Sequence, residues 1–267
     1  MVTKREKANY TIQSVSHALD ILESFTKTED ELGVTALSKR LGLHKNNVFR
    51  LLATLEHRGY IEQNMSSENY RLGAKTLQIG AIFIEQRECR RKARPYLESL
   101  TAASGETSVV AVLRGNRVIY MDSVETTRTV RAVSRIGAML PAHCTAVGKV
   151  QLATLPAGEI ERLYPDVSLT PLTDKSIKTR DVLLAELKKI AEKGYAFENE
   201  EADLDVRSIA VPILDFSRNV IGAAGIVAPS HRLTEEELEK GGLLSLVQEA
   251  GKAISLKMGF IAPAVKK

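Results

Sequence analysis

Two side chains four residues apart, Asn46 and Arg50, have the chemistry needed to read base edges in DNA. In a helix they project from the same side, because successive residues are about 100° apart. Arginine pairs with a guanine edge, and asparagine with an adenine edge, through two hydrogen bonds each. Five more residues of suitable type accompany them, namely Thr35, His44, Lys45, Asn47 and Arg71. The set predicts a surface that contacts DNA.

The apolar pattern around these residues predicts two helices joined by a turn. Val34, Leu37 and Leu41 recur at helical spacing, with Thr35 as the N-cap. Gly42 breaks the chain, and Leu43 fills the turn. These features are typical of a helix-turn-helix.

The second helix is predicted from about His44 to Arg58, with Val48, Leu51, Leu52 and Leu55 on its apolar stripe. Gly59 ends it, and two strands beginning at Tyr60 and Tyr70 form a wing that places Arg71 beside the DNA backbone or minor groove. An earlier helix is predicted over 14–25. This order indicates a DNA-binding winged helix-turn-helix. An amphipathic helix with a solvated polar face is the alternative for the second helix taken alone.

The charge distribution agrees with DNA binding. Residues 1–94 contain 16 Lys and Arg against 11 Asp and Glu, whereas residues 95–267 contain 21 against 22. Excess positive charge near a polyanion is favoured by the release of counterions. The asymmetry is modest and supports the motif without replacing it.

Composition sets the broad class. A chain of 267 residues with 44% hydrophobic and 26% charged residues is ordinary for a soluble protein of two domains. No run approaches the ~18 apolar residues of a membrane span, and the polar N-terminus lacks a signal segment. Cys89 and Cys144 give neither a disulfide framework nor zinc spacing. We expect a cytoplasmic protein with no membrane association, no cofactor and no metal site.

Catalytic motifs are not supported. His143 beside Cys144 suggests a base with its nucleophile, but neighbours in sequence rarely face each other correctly, and no nucleophile signature surrounds them. Gly148-Lys149 is not a phosphate-binding loop, because His143 replaces the first glycine of that motif and Val150 its Ser or Thr. We therefore expect no catalytic residue.

An acidic run extends over 198–205. Its carboxylates could bind a cation, but a solvated loop is the preferred interpretation, with Glu198 kept as the one functional residue. The members of the run are Glu198, Glu200, Glu201, Asp203 and Asp205.

Residues 74–94 are predicted to form an interdomain helix that Pro95 stops. Leu77, Ala81 and Ile84 share one face, which would be an adhesive patch if it were left uncovered, so we expect the helix to help form a dimer. Its basic end, 87–94, could contact phosphate, or it could be a solvated helix C-terminus matched to the helix dipole.

From Pro95 onward, strands alternate with helices. The predicted strands are Thr107–Arg114, Val118–Val124, Thr129–Arg135, Ser208–Leu214 and Val220–Ala228, and the predicted helices are about 95–104, 145–155, 157–163, 179–193 and a last one that begins with a capping box at Thr234 and ends near Met258. The grouping predicts an α+β domain with one largely antiparallel sheet. Such a sheet has a face free to hold a ligand.

Four stretches together resemble the IclR family of bacterial transcriptional regulators. One is LSKRLGLHKNNVFRLLATLEHRGYI in the winged domain; the others are LPAHCTAVGKVQLA at 140–153, GYAFENEEADLDVRSIAVPI at 194–213 and AGIVAPSHRL at 224–233. The resemblance covers nearly the whole chain. It implies a DNA-binding domain, an interdomain helix and a GAF-like effector domain that binds a small molecule, usually an organic acid or an aromatic compound.

The resemblance also implies an effector site. A carboxylate would be held by the backbone amides of Ala146 and Val147, with Glu198 and Ser208 as further polar groups. Gly225 and Val227 stand where relatives carry hydroxyl residues. The apolar lid would be formed by Thr129, Ala132, Leu140 and Val206.

The lost hydroxyls predict a larger and more apolar pocket. An unsatisfied buried hydroxyl costs roughly 1–3 kcal/mol, so such groups are kept only where a ligand satisfies them. With Gly225, Val227 and Ala132, the pocket would suit a ring or a longer chain better than a very small keto acid. Individually, Ala132, Val206 and Val227 are also consistent with core filling.

We therefore predict three segments: a winged helix-turn-helix domain over 1–73, an interdomain helix over 74–94 and an effector-binding domain over 95–260. The expected function is that of a ligand-responsive regulator that binds double-stranded promoter DNA as a homodimer or dimer of dimers. The alternative is a sensor that acts through protein contacts with a degenerate winged helix.

Overall fold

The structure is a computed structural model that describes residues 11–26, 28–85, 88–133, 135–240 and 242–261. It divides into two compact units, residues 1–86 and 87–267. The predicted segment limits at 73, 94 and 260 stay predictions.

The first unit contains the predicted helices and wing. Its helices are α1 (Gln13–Glu23), α2 (Val34–Leu41), α3 (Lys45–His57) and α4 (Ala74–Glu85), and its strands are β1 (Ile61–Gln63) and β2 (Tyr70–Leu72). Ile21, Leu37 and Leu52 are fully buried, one from each of the first three helices. Leu43 packs against this cluster, as predicted. These contacts hold α3 with its polar side outward.

The start of α2 differs from the prediction. Gly33, not Thr35, is the N-cap, and no side chain caps the helix. Gly33 is extended, and a Cβ there would lie 2.7 Å from Asn69 Oδ1, so the close approach of the wing determines this residue. Thr35 is exposed within the first turn and remains available for other contacts.

Pro95 does not stop its helix. Helix α5 (Glu88–Ser104) passes through it. A proline inside a helix costs ~3 kcal/mol, but fully burying each large apolar side chain returns roughly 1.5–3 kcal/mol. Leu97 and Leu100 are buried after the proline and Ala93 before it, so packing on the sheet keeps the helix intact.

The predicted dimer stripe on α4 is only partly within the described residues. Leu77 is 75% exposed. The side chains of Ala81 and Ile84 lie outside the described residues, as do Gln86 and Arg87, which separate α4 from α5.

The second unit is built on six antiparallel strands in the order β5-β4-β3-β8-β7-β6. The strands are β3 (Thr107–Arg114), β4 (Arg117–Val124), β5 (Met139–Pro141), β6 (Ala196–Asn199), β7 (Val206–Leu214) and β8 (Val220–Pro229). The further helices are α6 (Ala146–Leu152), α7 (Ala157–Leu163), α8 (Arg180–Lys193), α9 (Glu235–Lys240) and α10 (Leu243–Lys257). This confirms the α+β class and the antiparallel sheet.

Helices cover both faces of the sheet. Leu97 of α5 and Ile254 of α10 pack on one face, against strand residues such as Val110. Val150 of α6 and Leu187 of α8 pack on the other. The expectation of a free sheet face is therefore wrong.

The predicted strand Thr129–Arg135 is wrong. Its described residues form a loop, and the short strand β5 pairs with β4 instead. The loop is held by its backbone: Arg232 donates to the carbonyl of Val130 (2.8 Å), and Thr107 Oγ1 donates to that of Ala132 (3.0 Å). Strand β6 was not predicted, because four residues carry little periodicity.

The last predicted helix is two helices. Thr234 starts α9 as predicted, its Oγ1 accepting from the amide of Glu237 (3.1 Å). Gly242 is left-handed, with φ of 74°, and is the N-cap residue of α10. Helix α10 then reaches Lys257, close to the predicted end.

Candidate functional site

The exposed side of α3 carries the predicted base-reading residues. Val48, Leu52 and Leu55 are buried, while Asn46 and Arg50 are exposed on the opposite side. His44 is the N-cap residue of α3, and Lys45 and Asn47 are exposed in its first turn. The helix therefore presents a polar surface held by its own apolar stripe.

One residue beside this surface was not predicted. Phe49 is 57% exposed on α3, although a large aromatic side chain is usually covered. The sequence feature that could have identified Phe49 is its position on the helix, between the apolar stripe and Arg50. Phe49 can make apolar contact with a thymine methyl group if α3 enters the major groove.

The wing places Arg71 opposite an acid. Glu62 and Arg71 are register partners on β1 and β2, and Arg71 Nε donates to Glu62 Oε1 at 2.7 Å. Both side chains are about half exposed, with relative exposures of 51% and 53%. Any anion that binds Arg71 must therefore compete with Glu62 for its guanidinium group.

The wing is also tied to the loop before α2. Glu31 accepts from Asn64 Nδ2 (2.7 Å) and Ser67 Oγ (2.9 Å), and the Asn64 bond is the main cause of its lowered pKa. Leu32 and Tyr70 form an antiparallel bridge. The wing is therefore hydrogen-bonded to the segment that precedes α2 and is not a free hairpin.

In the second unit, four side chains form one row across four strands. Glu198 on β6 is paired with Ser208 on β7, Ser208 with Val227 on β8, and Val227 with Thr107 on β3. All four residues line a narrow cleft whose free volume is about 20 Å³, close to the space that one water molecule needs. The register of the antiparallel sheet brings together residues that are up to 120 positions apart in the chain.

Glu198 is the central polar group of the cleft. Its Oε1 accepts from the amides of Glu201 (2.5 Å) and Ala202 (3.1 Å), and its Oε2 accepts from Ser208 Oγ (2.8 Å). Burial outweighs these bonds and raises the pKa of the carboxyl to about 7. Glu198 can therefore hold or release a proton near neutral pH.

Helix α6 begins at the edge of the cleft. Thr145, which lines the cleft, caps the helix by accepting from the amide of Gly148 (3.0 Å). The amides of Ala146 and Val147 make no hydrogen bond to any described residue. Both residues are buried in the core with their side chains, so only their backbone can serve a ligand.

The structure gathers some of the predicted effector residues and not others. Leu140, Glu198, Val206, Ser208 and Val227 line the cleft. Thr129 is exposed on the loop, and Ala132 contributes its carbonyl to Thr107. Whether any of them binds an effector stays a prediction.

Gly225 does not enlarge the cleft. A Cβ built on it would lie 2.1 Å from the carbonyl oxygen of Ile209 and 3.0 Å from Ala210 Cα. The absent side chain therefore allows β8 to approach β7 and opens no space for a ligand. The expectation of a pocket widened at Gly225 is wrong.

Several cleft residues were missed. They include Tyr120, whose hydroxyl makes no hydrogen bond to a described residue, and Arg135 and Asp203, which pair with each other. Burial raises the pKa of the Tyr120 phenol, so it stays a hydrogen-bond donor. No local motif marks these residues, because strand pairing and a long loop bring them to the cleft.

The acidic run is not a solvated loop. Glu201 pairs with the buried Lys149 of α6 (2.5 Å), and Glu200 pairs with Lys175 (2.8 Å). Lys149 Nζ also donates to the carbonyl of Phe197 (3.0 Å). These pairs fix the chain that follows Glu198 against α6 and hold the cleft wall in place.

The basic end of the interdomain segment is also paired. Arg94 donates to the buried Asp122 of β4 (3.1 Å), and Arg90 lies 3.5 Å from the same carboxylate. Both arginines lie in the first half of α5, so they are not at a helix C-terminus, and both are paired although their side chains are partly exposed. They attach α5 to the strand that carries Tyr120.

His143 and Cys144 lack the features of a catalytic pair. Burial raises the pKa of the Cys144 thiol and lowers that of His143, so both stay neutral. A protonated thiol is a poor nucleophile.

Models of known families match both parts of the chain. A model described as the IclR helix-turn-helix domain matches residues 14–64, and one described as the bacterial transcriptional regulator IclR C-terminal region matches residues 82–256. The chain belongs to the IclR family of bacterial transcriptional regulators. This confirms the resemblance seen in the sequence and the expectation that the protein is a regulator and not an enzyme.

Similar IclR-family proteins match over almost their full length. The regulator XynR of Escherichia coli K12 is 36% identical, with 94% of this chain and 99% of that protein covered. The regulator KdgR of the same organism is 31% identical, with 96% of each covered. The crystal structure of Thermotoga maritima IclR has a TM-score of 0.73 at 27% identity, covering 94% of this chain and all of that one.

Among the helices of the described residues, none combines the length and the hydrophobicity that a transmembrane segment requires.

Proposed function

We propose that this IclR-family regulator binds promoter DNA through α3 and the wing, and that a small organic acid in the cleft changes its affinity for that DNA. It would act as a homodimer or dimer of dimers, since each winged domain reads one half-site. The observation that carries the proposal is the row of Glu198, Ser208, Val227 and Thr107, which opens beside the start of α6.

The cleft chemistry supports an acid with an apolar body. The amides of Ala146 and Val147 are available for a carboxylate, because no described residue accepts from them. Leu140, Val206 and Val227 offer apolar contact along the cleft. With Gly225 excluded as a source of room, the apolar surface of Val227 and the ring of Tyr120 favour an aromatic or medium-sized acid over a very small one. The free volume of the cleft is only about 20 Å³, so its walls must move apart to admit that acid.

Glu198 makes the binding of an acid depend on protonation. Two carboxylates in one desolvated cleft repel each other when both are charged. Because the pKa of Glu198 is raised to about 7, the effector can enter as the anion while Glu198 takes up a proton. The protonated Glu198 can then donate to the ligand or to Ser208.

Strand β4 supplies a connection from the cleft to α5. Tyr120 lies in the cleft, whereas Asp122 faces α5 and receives Arg94. The register with β3 shifts between these two residues, because Ala111 pairs with Tyr120 and Val110 with Asp122. Tyr120 and Asp122 are two residues apart and would share one face of a regular strand. The bulge between them lets Tyr120 line the cleft while Asp122 contacts α5.

The DNA part of the proposal is tested by fluorescence anisotropy with labelled promoter DNA at several salt concentrations. Arg50→Ala should weaken specific binding by roughly 1–3 kcal/mol and relax base preference. Arg71→Ala, as the matched arginine control on the wing, should weaken all sequences evenly and only slightly, because Glu62 already competes for it. Salt-independent binding, or an unchanged Arg50→Ala variant, would favour a sensor that acts through protein contacts.

The effector part is tested by thermal shift with aromatic and aliphatic carboxylates, followed by calorimetry. A ligand at 100 times its dissociation constant adds ~2.7 kcal/mol of stability. Val227→Phe should remove the response while DNA binding without ligand stays normal. Tight binding of pyruvate or glyoxylate, with no response to larger acids, would contradict the proposed size class.

A further inference from the structure

A strap, defined as residues 128–133 and 135–138, joins β4 to β5 and runs along the effector cleft. Its start is held by hydrogen bonds from Arg232 and Thr107 to its backbone carbonyls. Its end is held by β4, where the carbonyl of Tyr120 accepts from the amide of Gly137 (2.9 Å). Between these two ends, one ion pair links the strap to the opposite wall of the cleft in the described part of the chain.

That ion pair joins Arg135 of the strap to Asp203. Strands β5 and β6 are the two edges of the sheet, and Arg135 precedes β5 whereas Asp203 follows β6. Both residues line the cleft. The pair therefore reaches across the cleft from one edge of the sheet to the other.

Arg135 is the one cationic side chain among the described residues that line the cleft. It lies near the hydroxyl of Tyr120, since burial raises the pKa of that phenol and the charge of Arg135 opposes the shift. The amides at the start of α6 offer hydrogen bonds but no full charge. Arg135 is therefore the group that can neutralise an acid in the cleft, and its planar guanidinium can donate two parallel bonds to a carboxylate.

The partner of Arg135 can be exchanged because the pair is partly in water. The side chains of Arg135 and Asp203 are 34% and 39% exposed, so each can be hydrated when the pair separates, and such a pair contributes little to stability. The other carboxylate that holds the strap differs, because Glu106, which accepts from Arg128 and Arg232, is only 3% exposed. Separating those pairs would leave a buried charge without a partner. The strap thus has one ionic link that a ligand can replace.

We propose, on the basis of the proposed effector role of the cleft, that Arg135 binds the carboxylate of the effector and that this carboxylate replaces Asp203 on its guanidinium group. The Tyr120 hydroxyl donates to the same carboxylate, and Asp203 turns to solvent. Arg135 pairs with one anion in both states, so the acid enters the cleft already neutralised. The exchange also breaks the link between the two edges of the sheet, which allows the walls of the narrow cleft to move apart.

Calorimetry of the full-length protein with a panel of acids and their amides tests this exchange. The panel contains benzoate, 4-hydroxybenzoate and the straight-chain acids from butanoate to octanoate, each beside its primary amide. The wild type should bind at least one acid more tightly than its amide. Arg135→Met should weaken binding of that acid at least about tenfold, because a charge-assisted bond is lost, and should leave binding of the amide unchanged.

Asp203→Asn should change the affinity in the opposite direction. Removal of the competing carboxylate should tighten acid binding about two- to fivefold, the range that an exposed ion pair allows. The gain should disappear when Arg135→Met is present as well, since Asp203 acts through Arg135. Loss of a merely structural contact would instead weaken acid binding in both single variants.

Arg131→Met is the matched control. Arg131 lies on the same strap, is 40% exposed and pairs with Glu125 (2.9 Å), but it does not line the cleft. Arg131→Met should bind the acid as the wild type does. Urea denaturation without ligand should give similar midpoints for Arg131→Met and Arg135→Met, because both pairs are partly solvated.

The possible failures are distinguishable. Equal acid affinity in wild type and Arg135→Met would overturn the role of Arg135 and leave the cleft as an effector site, and equal losses in Arg135→Met and Arg131→Met would show that the strap is only a structural element. A gain from Asp203→Asn that persists beside Arg135→Met would indicate simple charge repulsion and overturn the exchange. No binding of any acid to the wild type or to Asp203→Asn would overturn both this inference and the proposed function.

Discussion

Replacing Glu198 by glutamine should remove the loss of stability that this buried carboxyl causes as the pH rises from 5 to 8. Glutamine keeps the geometry: its oxygen can accept from the amides of Glu201 and Ala202, and its amide group can donate to Ser208 Oγ. The substitution removes the charge and reverses the bond to Ser208, whose hydroxyl donates to Glu198 Oε2 in the wild type. Ser208→Ala, which also alters that bond, therefore serves as the control.

The magnitude follows from proton linkage. Burial raises the pKa of Glu198 from 4.5 to about 7, so between these values the folded protein binds more protons than the unfolded chain. The stabilising contribution of Glu198 is complete below pH 4.5 and is lost as the pH rises through 7. At ~1.36 kcal/mol for each pH unit between the two pKa values, the loss amounts to about 3 kcal/mol.

Urea denaturation of both proteins at pH 5.5, 7 and 8.5 measures this contribution. The stability of Glu198→Gln relative to wild type should increase with pH, by about 2 kcal/mol across the series, because the series begins 1.5 pH units below the raised pKa. Ser208→Ala, which removes one hydroxyl and no charge, is the control and should retain the wild-type pH slope. Parallel pH profiles for Glu198→Gln and wild type would refute the assignment of a proton to this carboxyl.

Two other outcomes are expected. Leu77→Glu should lower the oligomer mass measured by light scattering, because Leu77 is an apolar side chain that is 75% exposed on α4. Gln78→Glu introduces the same charge one residue along and should leave the mass unchanged. Equal masses for both variants would mean that α4 makes no dimer contact. Asp122→Asn should destabilise the effector domain by about 1–2 kcal/mol, since Asp122 is buried but its arginine partners are partly solvated. The same substitution should reduce the effect of ligand on DNA affinity. An unchanged ligand response would exclude β4 as the connection to α5.

Local patterns were sufficient wherever a single element carried the information. The winged motif depends on apolar spacing, on Gly42 and Gly59 at positive φ and on a short ribbon, all of which lie within about 40 consecutive residues. The boundaries of α3 and of strands β3 and β4 were accordingly close to the prediction. Thr234 as the start of α9 is a similar case, because a capping box is a local signal.

Predictions failed where packing outweighed a local rule. Pro95 reads as a helix stop, but burial of Ala93, Leu97 and Leu100 on the sheet keeps α5 continuous. Thr129–Arg135 alternates like a strand, yet β5 takes the place beside β4 and leaves that segment as a loop. In both cases a partner that is distant in the sequence decided the conformation.

The sequence by itself determined the family, the fold class and the polar face of α3, because each is encoded in residues close together in the chain. Only the tertiary structure decided the composition of the cleft. Strand register places Glu198, Ser208, Val227 and Thr107 in one row, and Tyr120 and Arg135 join them from a strand and a loop. The tertiary structure also showed that Gly225 allows β8 to lie close to β7 and that the acidic residue Glu201 is paired with Lys149. Both properties depend on which atoms meet in space.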